Sequence, residues 1–228
     1  MLIRVSNWDI LHIAEGQEFS AEKVKAIPAS ARRRLNNFGK SAGSLADGMI
    51  DENPLIVFAS RYGDVERSLR ILEEICGQEV LSPMNFSLSV HNAVPGVLSI
   101  AWKLKEMQSV IAAGSDTFAM GLTESFSLLK SFPHKSVLMI YIDLPLPSVF
   151  SDFVGSNEQS GACALLMKTD TSSEGGLVLQ TEMQTTEEEG FDNQKDLLKN
   201  LSSLLNGEDK KASFGAKSLT WLLEKQDA

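Results

Sequence analysis

Ser115, in the stretch AAGSDTFAMGL, is the side chain whose neighbours best suit it for chemistry. A short apolar run, Ser109 to Ala113, ends at Gly114, and a helical pattern starts at Asp116, so Ser115 falls where a strand hands over to a helix. Helix N-termini leave backbone N–H groups unpaired and carry the positive end of the macrodipole. That place suits a nucleophile, but a serine alkoxide also needs an adjacent general base. His12, His91 and His134 are scattered; His91 lies nearest, yet it precedes the intervening helix and reads as a loop or interface residue. Asp116 and Thr117 offer an acid and a hydroxyl to first-turn N–H groups, so Ser115 also reads as a structural turn residue. Arg32, Arg33 and Arg34 form a basic run that reads either as a solvated face or as a contact for an anion or acidic partner. No CxxC, HxxxH, GxGxxG or Walker spacing occurs, so neither a metal nor a cofactor is expected.

The chain has 228 residues, 43% of them hydrophobic, enough for a sizeable core in one large domain or two small ones. Its 21 Lys and Arg against 30 Asp and Glu give a net charge of -9, which argues against nucleic acid as a partner. The N-terminal MLIRVSNWDI lacks the features of a signal peptide, and VLMIYIDLPLP is broken by Asp143 and Pro145, so no membrane span and a cytoplasmic location are expected. Cys76 and Cys163 both sit at apolar positions and are expected as buried thiols.

The elements that must position Ser115 follow from periodicity. Strands are expected over 2–10, 55–59, 109–113, 137–142, 162–168 and 177–182, the last two as a hairpin-like pair around TDTSSEGG. Helices are expected over 31–50, 65–76, from Asn92 to about Leu104, and from Asp116 to Ser131, with a loop and short helix over 18–27. Asn92 is a candidate cap, and Pro95 fits a first turn. From 185 the acidic TTEEEGFDNQKD precedes two short helical patterns, LLKNLSSLL and SLTWLLEK. Alternating strands and helices argue for an α/β layered domain.

HNAVPGVLSIAWKL is similar to a helix of the form N-x-A-A-G-x-x-S-I in beta-ketoacyl synthases of the thiolase superfamily. SVIAAGSDTFAMGLTESFSLL follows as strand, nucleophile turn and helix, and SNEQSGACALLMK resembles the later G-E-G-A-x-x-L-V-L strand. More narrowly, the chain resembles short synthase-like N-terminal domains found beside fatty-acid-like and aryl-polyene-type biosynthetic systems. The resemblance implies a thiolase-like half-domain over residues 1–183, with a mixed, mostly parallel five-stranded sheet layered with helices. Residues 184–228 would be an acidic helical tail, packed on that domain or partly mobile.

Two departures limit what the resemblance carries. The family's nucleophilic cysteine falls on Ser115, and the second half that would supply a catalytic histidine pair has no counterpart in these residues. The resemblance then implies a non-catalytic subunit, in the manner of a chain length factor, that partners a ketosynthase or an acyl carrier protein. The alternatives are an acyl-thioester transferase or hydrolase using Ser115, and a scaffold without acyl chemistry. His91, Asn92, Gly114, Asp116 and Thr117 would line the substrate side of the turn, and Arg32, Arg33 and Arg34 would receive an acidic carrier. Homo- or heterodimer pairing would run through the strand edge from Ser109 to Gly114. The face of the nucleophile helix left uncovered by a missing second half would need the tail or another chain.

Overall fold

A computed structural model describes residues 1–12, 25, 27–46, 48–51, 53–153, 160–169, 175–185, 196–216 and 219–226. The short helix expected over 18–27, most of SNEQSG and TDTSSEGG, and nearly all of TTEEEGFDNQKD lie outside these residues.

Ile3 and Val5 alternate with more polar neighbours and bury on one face of β1 (Leu2–His12). The expected single helix over 31–50 is two helices, α1 (Ala29–Arg32) and α2 (Asn37–Leu45). The break falls at Asn36, whose side chain accepts from the Gly39 N–H at 3.3 Å and starts α2 afresh. Arg32 therefore closes a short helix, and Arg33 and Arg34 lie in the turn after it rather than at the start of a long one. The apolar LIVFA run is β2 (Leu55–Ala59), buried along its whole length. Asp64 caps α3 (Val65–Cys76) and Ser82 caps α4 (Pro83–Ser87). Then follow α5 (Ala93–Trp102), β3 (Gln108–Ile111), α6 (Thr117–Ser131), β4 (Val137–Asp143), β5 (Gly161–Lys168), β6 (Leu177–Thr185), α7 (Leu197–Leu205), β7 (Lys211–Ala216) and β8 (Leu219–Lys225).

The sheet has eight strands rather than five, in the order β3-β2-β4-β5-β1-β6-β8-β7. Parallel pairing is confined to β3-β2-β4, and the remaining neighbours are antiparallel. β5 and β6 do not pair with each other, because β1 lies between them and bonds to both. SLTWLLEK, expected as helix, contributes β8: Trp221 and Leu223 alternate towards the core and pair with Phe214 and Ala212 of β7. Cys163 is buried as expected, whereas Cys76 is exposed at the end of α3, where Ile71 is the one buried residue.

Two apolar layers flank the sheet. α1, α2 and α5 cover one face, through Phe38, Leu45, Val97 and Leu98 against Phe58, Leu138 and Ile140. α6 and α7 cover the other, through Phe118, Leu122, Leu129, Leu201 and Leu204 against Val57, Met139 and Leu165. α6 touches β2, β3 and β4 near one end of the strand order and β7 and β8 at the other. One sheet thus curls around α6: the ring of Trp221 meets Phe126 at 4.7 Å, and its indole N–H donates to Thr123 Oγ1 at 2.8 Å. Close approaches demand small residues here. A Cβ at Gly121 would stand 2.6 Å from Met139 Cε, and one at Gly161 would collide with Leu198 and lie 2.9 Å from the Leu11 carbonyl oxygen.

Candidate functional site

β2, β3 and β4 run parallel, so their C-terminal ends share one rim of the sheet, the place where open α/β sheets gather ligands. At the end of β3, residues 114–116 make a single 3₁₀ turn that leads directly into α6. Gly114 sits at φ +59°, a left-handed conformation that costs a side-chain-bearing residue about 1–2 kcal/mol. A Cβ there would meet nothing within 4 Å, so the backbone angle, not space, calls for glycine.

Thr117 locks the turn. Its hydroxyl accepts from the Ala113 N–H at 3.0 Å and donates to the Gly114 carbonyl at 2.7 Å, while the Asp116 N–H bonds back to Ala113 at 3.0 Å. Asp116 itself makes no side-chain cap bond to α6. Ser115 Oγ lies 3.4 Å from Asp116 Oδ1, which brings a carboxylate beside the hydroxyl at the positive end of the helix.

Across the rim, sequence reasoning missed a buried polar hub. Asp143, 7% exposed at the end of β4, accepts from Ser60 Oγ at 3.0 Å, from the Arg61 N–H at 2.8 Å and from the Tyr62 N–H at 3.4 Å. The Tyr141 hydroxyl bonds to the same carboxylate. Burial pushes the Asp143 carboxyl above its ordinary range, against the pull of those four hydrogen bonds. Burial, reinforced by the charge of Asp143, likewise raises the Tyr141 phenol well above its ordinary value. Phe118, one helical turn beyond Ser115, stacks edge-on against Tyr141 at 5.3 Å and tilted against Phe214 of β7 at 5.3 Å. This aromatic triplet ties the Ser115 turn to the hub. The available signal was an acid closing an otherwise apolar strand, VLMIYID, with Tyr141 two residues before it.

His91 belongs to the hub side. Its Nε2 lies 2.8 Å from the Ser60 carbonyl, which can only accept, so Nε2 carries the proton. Nδ1 is buried without a hydrogen-bond partner. Ser60 Oγ accepts from the Gly63 N–H at 2.9 Å, and Gly63, at φ +64°, folds the loop so closely that a Cβ would stand 3.0 Å from the His91 ring. His91 therefore makes no bond to Ser115. Asn92 occupies the N-cap position of α5 but forms no side-chain cap bond. Gly114, Ser115, Asp116 and Thr117 thus come together in one turn, while His91 and Asn92 belong to the α5 entrance beside the 60–63 loop.

Arg32, Arg33 and Arg34 lie apart from the turn but at the same end of the sheet. Asn36, just beyond them, donates to Asp64 at 2.7 Å, and Asp64 follows the 60–63 loop. Among the described residues, no group of three His, Cys, Asp or Glu side chains could hold a metal ion, and no helix is long and apolar enough to cross a membrane.

The profile of the beta-ketoacyl synthase N-terminal domain matches residues 6–222. Comparison with curated protein sequences gives no match. Among solved structures, a chain of the ketosynthase ApeO in complex with its chain length factor ApeC from Xenorhabdus doucetiae superposes with a TM-score of 0.77. The identity is 23%, over 98% of this chain and 99% of that one. A chain of the ishigamide ketosynthase/chain length factor gives 0.63 at 12% identity, over 81% and 68%. A chain of the AntDE:AntF complex, a type II polyketide synthase acyl carrier protein with its ketosynthase, gives 0.61 at 10% identity, over 92% and 76%. At these identities the likeness is one of fold, a thiolase-like mixed α/β sheet.

Proposed function

The chain belongs to the beta-ketoacyl synthase N-terminal domain family, and from that premise we propose that it is a ketosynthase-like subunit without condensing activity of its own. It would serve a fatty-acid or polyketide-type system of the aryl-polyene kind by pairing with a catalytic ketosynthase, an acyl carrier protein or both, in the cytoplasm.

The observation that carries this reading is the Ser115 turn. The strand, the left-handed glycine and the helix N-terminus that would present a nucleophile are all in place, but serine stands where the family places cysteine. A thiolate is accessible near neutral pH at such a helix end, whereas a serine hydroxyl needs a base. The histidine nearest in sequence gives its Nε2–H to the Ser60 carbonyl, and its other nitrogen makes no bond to Ser115. The Asp116 carboxylate, 3.4 Å from the Ser115 hydroxyl, adds negative charge beside a position where an oxyanion would need positive potential. These features support a retained fold nucleus over an active centre. They likewise disfavour the transferase or hydrolase alternative, in which Ser115 attacks and His91, Asn92, Gly114, Asp116 and Thr117 hold the acyl thioester.

Pairing through the Ser109 to Gly114 edge is supported by topology. β3 ends the strand order, and its bonds to β2 use the Met107 and Ile111 carbonyls. By alternation the backbone groups of Val110 point away from the sheet, ready to pair with another strand. Whether that strand comes from a second copy or from a ketosynthase is read by co-expression with the ketosynthases of the same genome and size-exclusion chromatography. The expected result is a stable complex that Val110→Pro disrupts, since proline removes only the outward N–H. Absence of any ketosynthase complex sinks the proposal. A covalent acyl adduct on Ser115 after incubation with acyl thioesters, seen by mass spectrometry and lost in Ser115→Ala, would establish the enzyme reading instead.

A further inference from the structure

A carboxylate without a cation stands beside the free edge of the sheet. Side chains along β3 alternate, so that Val110 packs with the α1–α2–α5 layer and Ile111 with the α6 layer. Ser109, two residues before Ile111, shares its face, and its hydroxyl donates to Glu124 Oε1 of α6 at 2.5 Å. Thr123, the preceding residue, turns the other way and accepts the Trp221 indole N–H of β8. α6 therefore directs Glu124 towards the open end of the strand order, where β3 has no further neighbour. The carboxylate is partly buried, and it makes no ion pair among the described residues.

From Gln108 to Leu129 the chain holds Asp116 and Glu124 but no lysine or arginine. Two copies joined through this edge would be related by a two-fold axis, with their β3 strands antiparallel and each unit facing its own counterpart. With the axis at Val110, Ser109 would face Ile111 of the second copy, and the two Ser109 residues would stand about 8 Å apart. The Glu124 carboxylates would be drawn together as pairing strips water from them, and nothing in residues 108–129 would offset the repulsion. Met107, next to β3, is 47% exposed, so burying the edge is favourable in itself. Charge then decides which chain can do so. We propose that Glu124 sets the specificity of this edge: it keeps two copies of the chain from joining through β3 and admits a different chain that places a lysine or arginine opposite it. The inference rests on the edge pairing proposed above and adds what selects the partner.

Self-association of the full chain is followed by sedimentation equilibrium at low and high ionic strength. Wild type should associate weakly, and more tightly as salt screens the carboxylates. Glu124→Gln keeps an oxygen for the Ser109 hydroxyl and should self-associate at least about tenfold more tightly at low salt, with a smaller salt dependence. Glu124→Lys mixed with wild type should form a pair tighter than wild type forms with itself. Adding Val110→Pro should abolish each association, and Glu182→Gln on β6 should change none, with circular dichroism confirming that every variant folds. With the ketosynthases of the same genome, Glu124→Lys should weaken the complex at least about tenfold. The proposal is overturned by wild type that self-associates as tightly as Glu124→Gln, by a mixed pair no tighter than the wild-type one, by associations that survive Val110→Pro, or by a ketosynthase complex indifferent to Glu124→Lys. A ketosynthase complex that Val110→Pro disrupts and residue 124 does not affect refutes this inference alone. Pairing of wild type with Glu124→Lys, in a chain that forms no ketosynthase complex, refutes the ketosynthase reading alone and leaves selection at the edge in place.

Discussion

Asp143 should be the polar residue whose loss the fold tolerates least. Asp143→Ala would strand the Ser60 hydroxyl, the Arg61 N–H and the Tyr141 hydroxyl, which all converge on its carboxylate. A buried polar group left unsatisfied costs about 1–3 kcal/mol. The Arg61 backbone, in a half-buried loop, can turn towards water, the Tyr62 bond at 3.4 Å is weak, and deleting a buried charge removes its own desolvation cost. The net loss should then be about 2–4 kcal/mol. Asp143→Asn keeps Oδ1, the atom that takes the Ser60, Arg61 and Tyr62 bonds, and should cost about 1 kcal/mol or less. Urea unfolding at pH 7 measures both. The pH dependence carries a second signature. Because burial raises the folded-state pKa of Asp143, the folded protein holds more protons than the unfolded chain between the ordinary and raised values, and stability falls as pH rises through that window. Wild type should therefore gain on Asp143→Asn as pH is lowered from neutral towards about 4. If Asp143→Ala costs under about 1 kcal/mol, or Asn costs as much as Ala, the hub does not hold the 60–63 loop as argued.

Further expectations concern the two ends of α6 and its cover. Phe214→Ala removes a fully buried ring between β7 and Phe118 and should cost about 3–5 kcal/mol in thermal or urea unfolding. Gly161→Ala should destabilise by about 1–3 kcal/mol, since one of its obstructions is the unyielding Leu11 carbonyl. Ser115→Ala should change stability by no more than about 0.5 kcal/mol and leave ketosynthase pairing intact by size exclusion, because Thr117 rather than Ser115 locks the turn. Above about pH 10, where tyrosine in the unfolded chain ionises, the raised Tyr141 stays protonated in the fold. Stability should then decline with rising pH, and Tyr141→Phe should flatten that decline.

Most strands and longer helices of the first 185 residues could be read from pattern because they declare themselves locally, whereas the break at Asn36 and the short α4 could not. LIVFA and VLMIYI are apolar throughout, as strands covered on both faces must be, and Asp64 and Gly77 mark the ends of α3. The C-terminal hairpin was not legible for a physical reason. In SLTWLLEK the residues Leu219, Leu222 and Leu223 fit a helical face as well as Trp221 and Leu223 fit a strand face, and only pairing with β6 decides between them. The same holds for the strand count and for β1 standing between β5 and β6, which depend on partners distant in sequence. At the site, the turn at Gly114 was visible because strand, glycine and helix are contiguous. The Asp143 hub was not, because Ser60, Tyr141 and Asp143 meet only when β2 and β4 lie side by side.

The curl of the sheet around α6 also sets the order in which this chain can fold. Thr123 and Trp221, bonded across the closed curl, are 98 residues apart in sequence. Contacts of that span are slow to form, because the entropy of closing the loop is lost before any packing repays it. During synthesis the side of α6 that meets β7 and β8 lacks that cover until both strands are made and β8 has paired with β6. The helix that carries the Ser115 turn is thus the last major apolar surface to be shielded, and a nascent or partly unfolded chain exposes there the side chains most prone to aggregate.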